Sequence, residues 1–288
     1  NDAFNEAEAA AKPSVRLLVW RGELLVEKFN LADAEEVAVE ALERAPRHPD
    51  ALVLLAEVRL GQALDLDGAF ELAGRALEVN PAHARAHYVR AGTVLRDLDF
   101  AATHREIDAG LAVNPRHLDL LSMRAAARFL AEDEAGFEAV LTQVDGLSPR
   151  YARIFDVVAE YAEWEHRYED IERLLRRGVR LDRDDGRLRS NLGLTLVRSG
   201  SDAAGVIELR RAFELDPYDV RALNTLDLYE KWIPESYEEV RTGPFRFRFP
   251  KAECALLERY LPPLLEDAHR QMLERYGFEP RAPLGMEI

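Results

Sequence analysis

Apolar and small residues recur at helical spacing along most of this chain, in pairs of short segments separated by turns. The clearest pair lies between Gly186 and Pro217, where a Gly-Ser-Asp turn divides two amphipathic segments and a proline follows the second. Small residues stand where two packed helices would cross closely, at Gly193, Gly205 and Ala212. The pattern predicts a hairpin of two helices.

The hairpin pattern repeats along the chain at an even spacing. Pro81, Pro115 and Pro149 are separated by two equal intervals, and the interval from Arg183, which takes the place of a proline, to Pro217 is the same. This period of about 34 residues, with small residues at the crossings, resembles the tetratricopeptide repeat. The resemblance implies a mostly α right-handed solenoid in which each hairpin buries its apolar face against the next.

The resemblance divides most of the chain into six repeats and a final helix. We interpret residues 1-14 as the end of a preceding repeat, and 220-232 as a last helix that covers the core of the sixth repeat. The predicted repeats are 15-48, 49-83, 84-117, 118-151, 152-185 and 186-219.

The helical period stops after residue 232, at breaks around Pro234 and Pro244. Phe245–Phe249 alternates phenylalanine with arginine, which predicts a half-buried strand with the phenylalanines inward and the two arginines outward. Residues 251–276 form a helical pattern that we expect to break or restart at Pro262-Pro263, and 283–288 predicts a second strand. The expected fold of the tail is a small α+β strand-helix-strand fragment.

The tail resembles the N-terminal part of a peptidase-MA-like (gluzincin-type) domain of the kind found behind bacterial tetratricopeptide arrays. The resemblance rests on the Phe245–Phe249 strand, the motifs YLPPLLE and YGFEP, and the final predicted strand. It implies that 233-288 begins a larger zinc peptidase fold, whose H-E-x-x-H helix and third ligand, a glutamate, would follow Ile288.

The histidines of this chain do not provide a zinc site. Among the seven, only His83 and His87 are four residues apart, and Ala84 stands where the catalytic glutamate of H-E-x-x-H would be. We therefore expect no cofactor in this chain, and zinc in the parent protein only if the catalytic motif lies beyond Ile288.

The net charge of -15 excludes several classes of partner. Nucleic-acid binding needs basic stripes that neutralise phosphates, so an acidic chain argues against it. No apolar run is long enough for a transmembrane segment. One cysteine, Cys254, allows no internal disulfide, and the first residues show no leader, so a cytoplasmic protein and one exported after removal of a leader are both consistent with the sequence.

Arginine occupies the second position of five predicted first helices, which would line the inner groove of the solenoid. This ladder could attract an acidic segment or a C-terminal carboxylate. The alternative is that these arginines pair with neighbouring acidic side chains across repeats. The candidate ligand-binding residues are Arg16, Arg85, Arg153, Arg187 and Arg221, together with Asn191.

The carboxylate clamp of chaperone-binding tetratricopeptide domains is a sharper version of this hypothesis. Asn191 and Arg221 match its middle and last parts. Asp156 and Glu160, however, stand at the positions of the first lysine and asparagine, and acids there would repel an anionic terminus. We do not expect a clamp.

Aromatic side chains at helical positions favour packing between repeats, although Tyr88 and Trp20 could instead face the groove. The residues concerned are Trp20, Tyr88, Phe129, Tyr161, Trp164 and Tyr168.

These observations favour an interaction scaffold that binds a peptide or protein segment in the concave groove and presents substrate to a peptidase-like domain. A second hypothesis is that the parent is a zinc-dependent metallopeptidase, so whether this chain belongs to an enzyme stays open. A third is that the array makes homo-oligomers through its exposed terminal helix at Asn1–Lys12.

Overall fold

Short antiparallel helices follow one another through most of the chain in the computed structural model, which describes residues 2–4, 6, 14–63, 65–280 and 282–288. The chain divides into two compact units, Asn1–Arg183 and Asp184–Ile288, which we call the N-terminal unit and the C-terminal unit. The predicted partial repeat at 1-14, including the terminal helix proposed for self-association, falls mostly outside the described residues.

The N-terminal unit consists of helical hairpins, each with a first and a second helix. The first helices carry odd numbers and the second helices carry even numbers. In chain order they are α1 (Val15–Glu27), α2 (Leu31–Arg44), α3 (Pro49–Ala63), α4 (Leu66–Val79), α5 (Ala84–Arg96), α6 (Phe100–Val113), α7 (Leu118–Leu130), α8 (Glu134–Leu147), α9 (Arg153–Trp164) and α10 (Tyr168–Leu181).

The C-terminal unit begins with one more hairpin and ends in a small sheet covered by a long helix. Its elements are α11 (Gly186–Arg198), α12 (Asp202–Leu215), α13 (Val220–Asp227), a π-helix (Leu228–Trp232), α14 (Ile233–Ser236), β1 (Tyr237–Thr242), β2 (Phe245–Pro250), α15 (Cys254–Tyr276) and β3 (Leu284–Glu287). The mostly α fold with a small α+β tail is thus confirmed.

Side-chain caps explain where many of the helices begin. Asp65, Asp99 and Asp133 each accept a hydrogen bond from the backbone amide three residues on, at the start of α4, α6 and α8. Such a cap satisfies an amide that has no partner inside the helix, and typically contributes about 1 kcal/mol.

The turn inside the hairpins places one residue in the left-handed backbone region. Phe29, Leu98, Glu132, His166 and Gly200 have φ between 55° and 80°, and the last four follow one another at exactly the interval of the proline repeat. Only one of the five is glycine, the residue that adopts this conformation without strain. The repeat is therefore present in the backbone even where the residue type varies.

Apolar clusters that span three consecutive helices hold the hairpins of the N-terminal unit together. One joins α1 and α2 to α3 through Leu18, Ala41 and Val58. The next joins α3 and α4 to α5 through Ala56 and Ala76, among others. Because each cluster draws on the following hairpin, each hairpin depends on its neighbour for a complete core.

Glycines allow α11 and α12 to cross closely. A Cβ at Gly193 would lie 2.6 Å from Leu209 Cγ and 2.9 Å from the carbonyl oxygen of Gly205, and a Cβ at Gly205 would lie 2.8 Å from the carbonyl oxygen of Gly193. The small residues predicted at this crossing therefore lie in the interface between the two helices.

The tail contains a strand that the sequence analysis missed. The sheet has the order β1-β2-β3, with β1 antiparallel and β3 parallel to β2. A turn at Gly243, with φ of 52°, joins β1 to β2. The strand-helix-strand prediction omitted β1 because its sequence, YEEVRT, is mostly polar and exposed, without a run of apolar residues on one face.

Both faces of β2 are buried, which corrects the prediction that its arginines point outward. The phenylalanines pack against α15 together with Cys254, in a cluster that includes Leu257 and Leu261. Arg246 and Arg248, on the opposite face, are also buried. The alternation of β2 was interpreted correctly, but its polar face meets other charged groups rather than solvent.

The helix α15 is continuous, so the predicted break at Pro262-Pro263 is wrong. Proline removes the amides that would donate to the carbonyls of Glu258 and Arg259, but both residues are exposed and their carbonyls can bond to water. Although α15 has 23 residues, no described helix combines the length and apolar character needed to cross a membrane.

Candidate functional site

First helices two hairpins apart meet on one side of the N-terminal unit. A Cβ at Gly92 on α5 would lie only 2.3 Å from the hydroxyl oxygen of Tyr161 on α9, and Arg85 on α5 reaches Glu23 on α1. We call the side of the unit that carries these contacts the inner face. It contains three of the residues predicted to bind a ligand: Arg16, Arg85 and Arg153.

Arg85 forms ion pairs with two acidic side chains of this face. Its Nε donates to Glu57 across 2.6 Å, and its Nη1 donates to Glu23. Burial by itself lowers the pKa of Arg85, but the two carboxylates outweigh it and raise the pKa above the ordinary value for arginine. At this position the arginine joins α1, α3 and α5.

Arg153 is paired with an acidic side chain but remains partly exposed. Its Nε lies 3.6 Å from Asp119 Oδ1, the atom to which the hydroxyl of Tyr151 also donates at 2.9 Å, and half of the Arg153 side chain is exposed (50%). The exposed half leaves room for a second contact.

Each of the three tryptophans of this chain is exposed and lies beside a cationic side chain. The exposed fractions are 49% for Trp20, 40% for Trp164 and 57% for Trp232. The guanidinium carbon of Arg16 lies 4.5 Å from the Trp20 ring centroid, and that of Arg96 lies 4.6 Å from the Trp164 ring centroid. In the C-terminal unit, Lys231 Nζ lies 5.8 Å from the Trp232 ring.

The expectation that the aromatic residues pack between repeats therefore holds for some of them only. Phe129 and Tyr161 are buried and Tyr88 is half-buried. Trp20, Trp164 and Tyr168 are exposed. Trp20 lies one turn before Glu23, and Trp164 lies next to Arg96, so both indoles belong to the inner face.

Arg187, Asn191 and Arg221 lie in the C-terminal unit. Arg221 on α13 donates to Asn191 Oδ1 on α11 across 2.8 Å, which joins these two first helices. Arg187 is exposed and lies one turn before Asn191 on the same helix. The structure thus brings Asn191 and Arg221 together.

The two histidines four residues apart have separate partners. His83 begins α5, where its Nδ1 accepts from the amide of Ala86 and its Nε2 lies 2.8 Å from Asp50. His87 lies between Glu106 and the carbonyl of Pro81, at 3.0 and 3.2 Å. Within the part of the chain that the structure describes, no cluster of histidine, cysteine or acidic residues could hold a metal ion.

A buried charge cluster joins the last hairpin to the sheet of the C-terminal unit. Asp202, the first residue of α12, forms an ion pair with Arg246 and accepts a hydrogen bond from Arg248, and Arg248 also donates to Glu287. Arg246 donates to the carbonyl of Gly200 at 3.1 Å. Two buried guanidinium groups thus have carboxylate partners from α12 and β3, as burial of charge requires.

A cleft opens beside this cluster. Its volume is about 470 Å³, and it lies between α12, the segment 229–234 and β1. Val206, Ile207, Ile233 and Pro234 provide apolar walls, with Tyr229 and Tyr237 beside them. We call this feature the junction cleft.

Comparison with solved structures bears on the fold. A tetratricopeptide repeat protein from Parabacteroides merdae ATCC 43184 matches 80% of this chain and 91% of its own length, at 14% identity and a TM-score of 0.51. The chain has the tetratricopeptide repeat fold. The sequence matches no protein-family profile and no curated protein.

A second similar structure is that of the APC/C hetero-tetramer Cut9-Hcn1, at 11% identity and a TM-score of 0.51. The match covers 78% of this tetratricopeptide chain but only 45% of the other, so this chain spans less than half of the protein that it matches.

Sequence reasoning left open that Trp20 faces the groove, but it missed the exposure of Trp164 and the junction cleft. A tryptophan with a cation one turn before it, as in Arg16 and Trp20, is a weak signal that could have marked Trp20. No such signal marks the cleft, because Ile207 and Tyr237 become neighbours only when β1 folds next to α12.

Proposed function

We propose that this tetratricopeptide chain is a protein-interaction scaffold that holds a segment of a partner protein against the inner face of its N-terminal unit. The observation that carries the proposal is the pair of arginine-stacked, exposed tryptophans, Trp20 and Trp164. Tryptophan and arginine are enriched among the residues that contribute most to protein-protein binding.

Exposure of these indoles supports binding because a tryptophan gains much by being covered. Stacking under Arg16 or Arg96 restricts the ring before a partner arrives, which lowers the entropy lost on binding. The two arginines do not cover the rings completely, so about half of each indole surface can still be removed from water.

Only some of the arginines predicted to bind a ligand contribute to this proposal. Arg85 is bound to Glu23 and Glu57, whereas Arg16 is exposed and Arg153 is half exposed. These two positions give the face its preference for an acidic partner segment. Asn191, Arg187 and Arg221, in the C-terminal unit, are not part of this face.

The experiment is a selection of peptides from a random phage-displayed library on the immobilised chain, followed by titration of the selected peptides. We expect tryptophan emission to shift to shorter wavelength on binding. We also expect Trp20→Phe and Trp164→Phe each to raise Kd by about tenfold, in line with the loss of an interface hot spot. Trp232→Phe, in the other unit, is the matched control and should leave Kd unchanged.

Two results would count against the proposal. Selected peptides that bind equally well to the Trp20→Phe and Trp164→Phe variants would show that the inner face is not the site. Binding that does not fall with rising salt would contradict the preference for an acidic partner. Equal binding by Arg153→Ala and by Arg173→Ala, a control on the second helix α10, would contradict it as well.

The peptidase-like role of the tail remains a proposal of its own. Its support is the sequence resemblance together with the observed β-α-β crossover of β2, α15 and β3. The decisive observation is whether the native polypeptide continues beyond Ile288 into an H-E-x-x-H helix and a later glutamate.

A further inference from the structure

Arg96, the last residue of α5, is a buried cation whose hydrogen bonds are incomplete. Only 10% of its side chain is exposed. Its Nε and Nη1 are buried and have no hydrogen-bond partner among the described residues, and no other described side chain has two such atoms. Buried charged groups are normally paired and hydrogen-bonded. The unpaired nitrogens of Arg96 therefore indicate that an acceptor is missing.

The surroundings of Arg96 provide one loose ion pair and two aromatic rings. Its Nη2 lies 3.5 Å from Oε1 of Glu160, which is longer than a usual charge-assisted hydrogen bond. Its guanidinium carbon lies 4.6 Å from the ring centroid of Trp164 and 5.9 Å from that of Tyr161. Stacking uses the face of a guanidinium group, whereas its N–H groups donate in the plane, so the rings do not replace an acceptor.

Arg85, on the same helix and the same face, shows what a complete set of acceptors looks like. It donates to two carboxylates, those of Glu57 on α3 and Glu23 on α1. Among the described residues, Arg96 has the carboxylate of Glu160 alone, at a longer distance. Because a guanidinium group of the inner face accommodates two carboxylates at Arg85, the charge of Glu160 does not exclude a second carboxylate at Arg96.

The side from which an acceptor can reach Arg96 is the exposed side of the inner face. Nearly half of the Glu160 side chain (48%) and 40% of Trp164 are exposed beside it. Tyr161 is buried, and its hydroxyl oxygen occupies the space that a Cβ of Gly92 would need. Because both unpaired nitrogens are buried, the acceptor enters with a small displacement of Trp164, the last residue of α9.

We propose that Arg96 determines which partner segments the inner face accepts, by binding a carboxylate group of the segment beside Glu160 and Trp164. The proposal rests on the function proposed above and adds a specific position to the acidic preference of that face. An aspartate side chain, a glutamate side chain or a C-terminus can supply the carboxylate. It provides the second acceptor that Arg85 already has and Arg96 lacks.

The first test observes Arg96 directly in the full chain and needs no selected peptide. The probe is sodium acetate, added against sodium chloride at equal ionic strength. The readout is the proton-nitrogen cross-peak of the Arg96 Nε–H group, which is identified by its absence in Arg96→Lys. We expect a saturable shift of this cross-peak with acetate only. No shift, or an equal shift with chloride, would contradict a carboxylate site.

A thermodynamic cycle then identifies the carboxylate in peptides selected on the chain. Arg96→Gln should raise Kd by about tenfold. Replacing the contacted acidic residue of the peptide by its amide, or amidating the C-terminus, should raise Kd for the wild type but not for Arg96→Gln. The two peptide changes separate a side-chain carboxylate from a terminal one. Arg173→Gln, on the second helix α10, is the matched control and should leave Kd unchanged.

The cycle also distinguishes failure of this proposal from failure of the proposed function. Peptides that are weakened by Trp20→Phe and Trp164→Phe but bind Arg96→Gln as well as the wild type would overturn the role of Arg96 and leave the inner face as the binding site. Peptides that none of these three variants weakens would reject the inner face itself.

Two further variants test the charge balance around Arg96. Glu160→Gln should tighten the binding of the acidic peptides by about two- to threefold, because it removes a competing carboxylate. Arg96→Met should not lower the melting temperature, whereas Arg85→Met should lower it by about 5 °C, since it leaves Glu23 and Glu57 without their cation. Weaker binding by Glu160→Gln, or an equal loss of melting temperature in both methionine variants, would show that Arg96 lacks no acceptor.

Discussion

Nη1 of Arg246, on β2, lies 2.9 Å from Oδ2 of Asp202, the first residue of α12. Arg248 donates to the same carboxylate oxygen, so one aspartate neutralises part of the charge of two buried guanidinium groups. This cluster attaches the sheet to the last tetratricopeptide hairpin within the C-terminal unit. Asp202 and Arg248 also line the junction cleft.

Substitution Asp202→Asn should destabilise the C-terminal unit by about 3–5 kcal/mol, because it leaves two buried arginines with less compensation. The loss is expected in denaturant unfolding followed by near-ultraviolet circular dichroism. Asp227→Asn, at an exposed position on α13, is the matched control and should change stability by less than about 0.5 kcal/mol. Equal stability of the two variants would show that the cluster does not hold the sheet.

Two glycine-to-alanine substitutions should have effects of opposite sign. Gly193→Ala should destabilise by about 1–3 kcal/mol, since the added methyl group would collide with the backbone of Gly205 as well as with Leu209. At Gly146, an exposed position of α8, a Cβ would meet nothing within 4 Å, so alanine should stabilise by about 0.5–1 kcal/mol. Thermal unfolding of both variants tests the helix crossing, and a stabilising Gly193→Ala would refute it.

The repeated left-handed turn position makes a second matched pair. Glu132 is exposed and has φ of 57°, so Glu132→Gly should stabilise the chain by up to about 1 kcal/mol. Gly200→Ala should cost about 1 kcal/mol for the same reason, because the only neighbour of its Cβ, Arg246 Nη2, is at an ordinary distance of 3.6 Å. Chemical denaturation distinguishes the two, and a change of the same sign in both would contradict the assigned backbone.

The stability of the N-terminal unit should fall at acid pH in a way that depends on Glu106. Burial raises the pKa of this carboxyl group, but hydrogen bonds from His87 and ion pairing with Arg90 outweigh burial and hold the pKa below its ordinary value of 4.5. A lowered folded-state pKa gives stability that is complete above the unfolded-state pKa and is lost as the pH falls through the folded value.

Glu106→Gln should therefore lose about 1–2 kcal/mol at pH 7 and show a shallower decline below about pH 4.5 than the wild type. Unfolding free energies measured between neutral and acid pH check this. Glu78→Gln, at an exposed position of α4, should follow the wild-type profile. Parallel acid limbs for Glu106→Gln and the wild type would rule out the network.

The repeat period was predictable because it depends on local rules: small residues at helix crossings and prolines after second helices. The strand β1 was not, because YEEVRT lacks an apolar face and gains its place by pairing with β2. The continuity of α15 through Pro262-Pro263 was not predictable either. It depends on the solvent exposure of the carbonyls of Glu258 and Arg259, which the prolines leave without an amide donor.

The candidate site was predictable only in outline. The position of Arg85 in a first helix indicated the inner face, but its pairing with Glu23, two hairpins away, depends on how closely the helices approach. Trp164 was expected to pack between repeats, yet it lies exposed beside Arg96. Contacts between hairpins that are not consecutive leave no mark in the pattern of a single repeat.

Hydrogen-deuterium exchange of the full chain, with and without a selected peptide, tests the central claim most directly. Binding on the inner face predicts slower exchange in first helices that carry the indoles and arginines, α1, α5 and α9, with little change in α2, α6 and α10. Protection confined to the second helices, or absent from the N-terminal unit while the peptide is bound, would contradict the account.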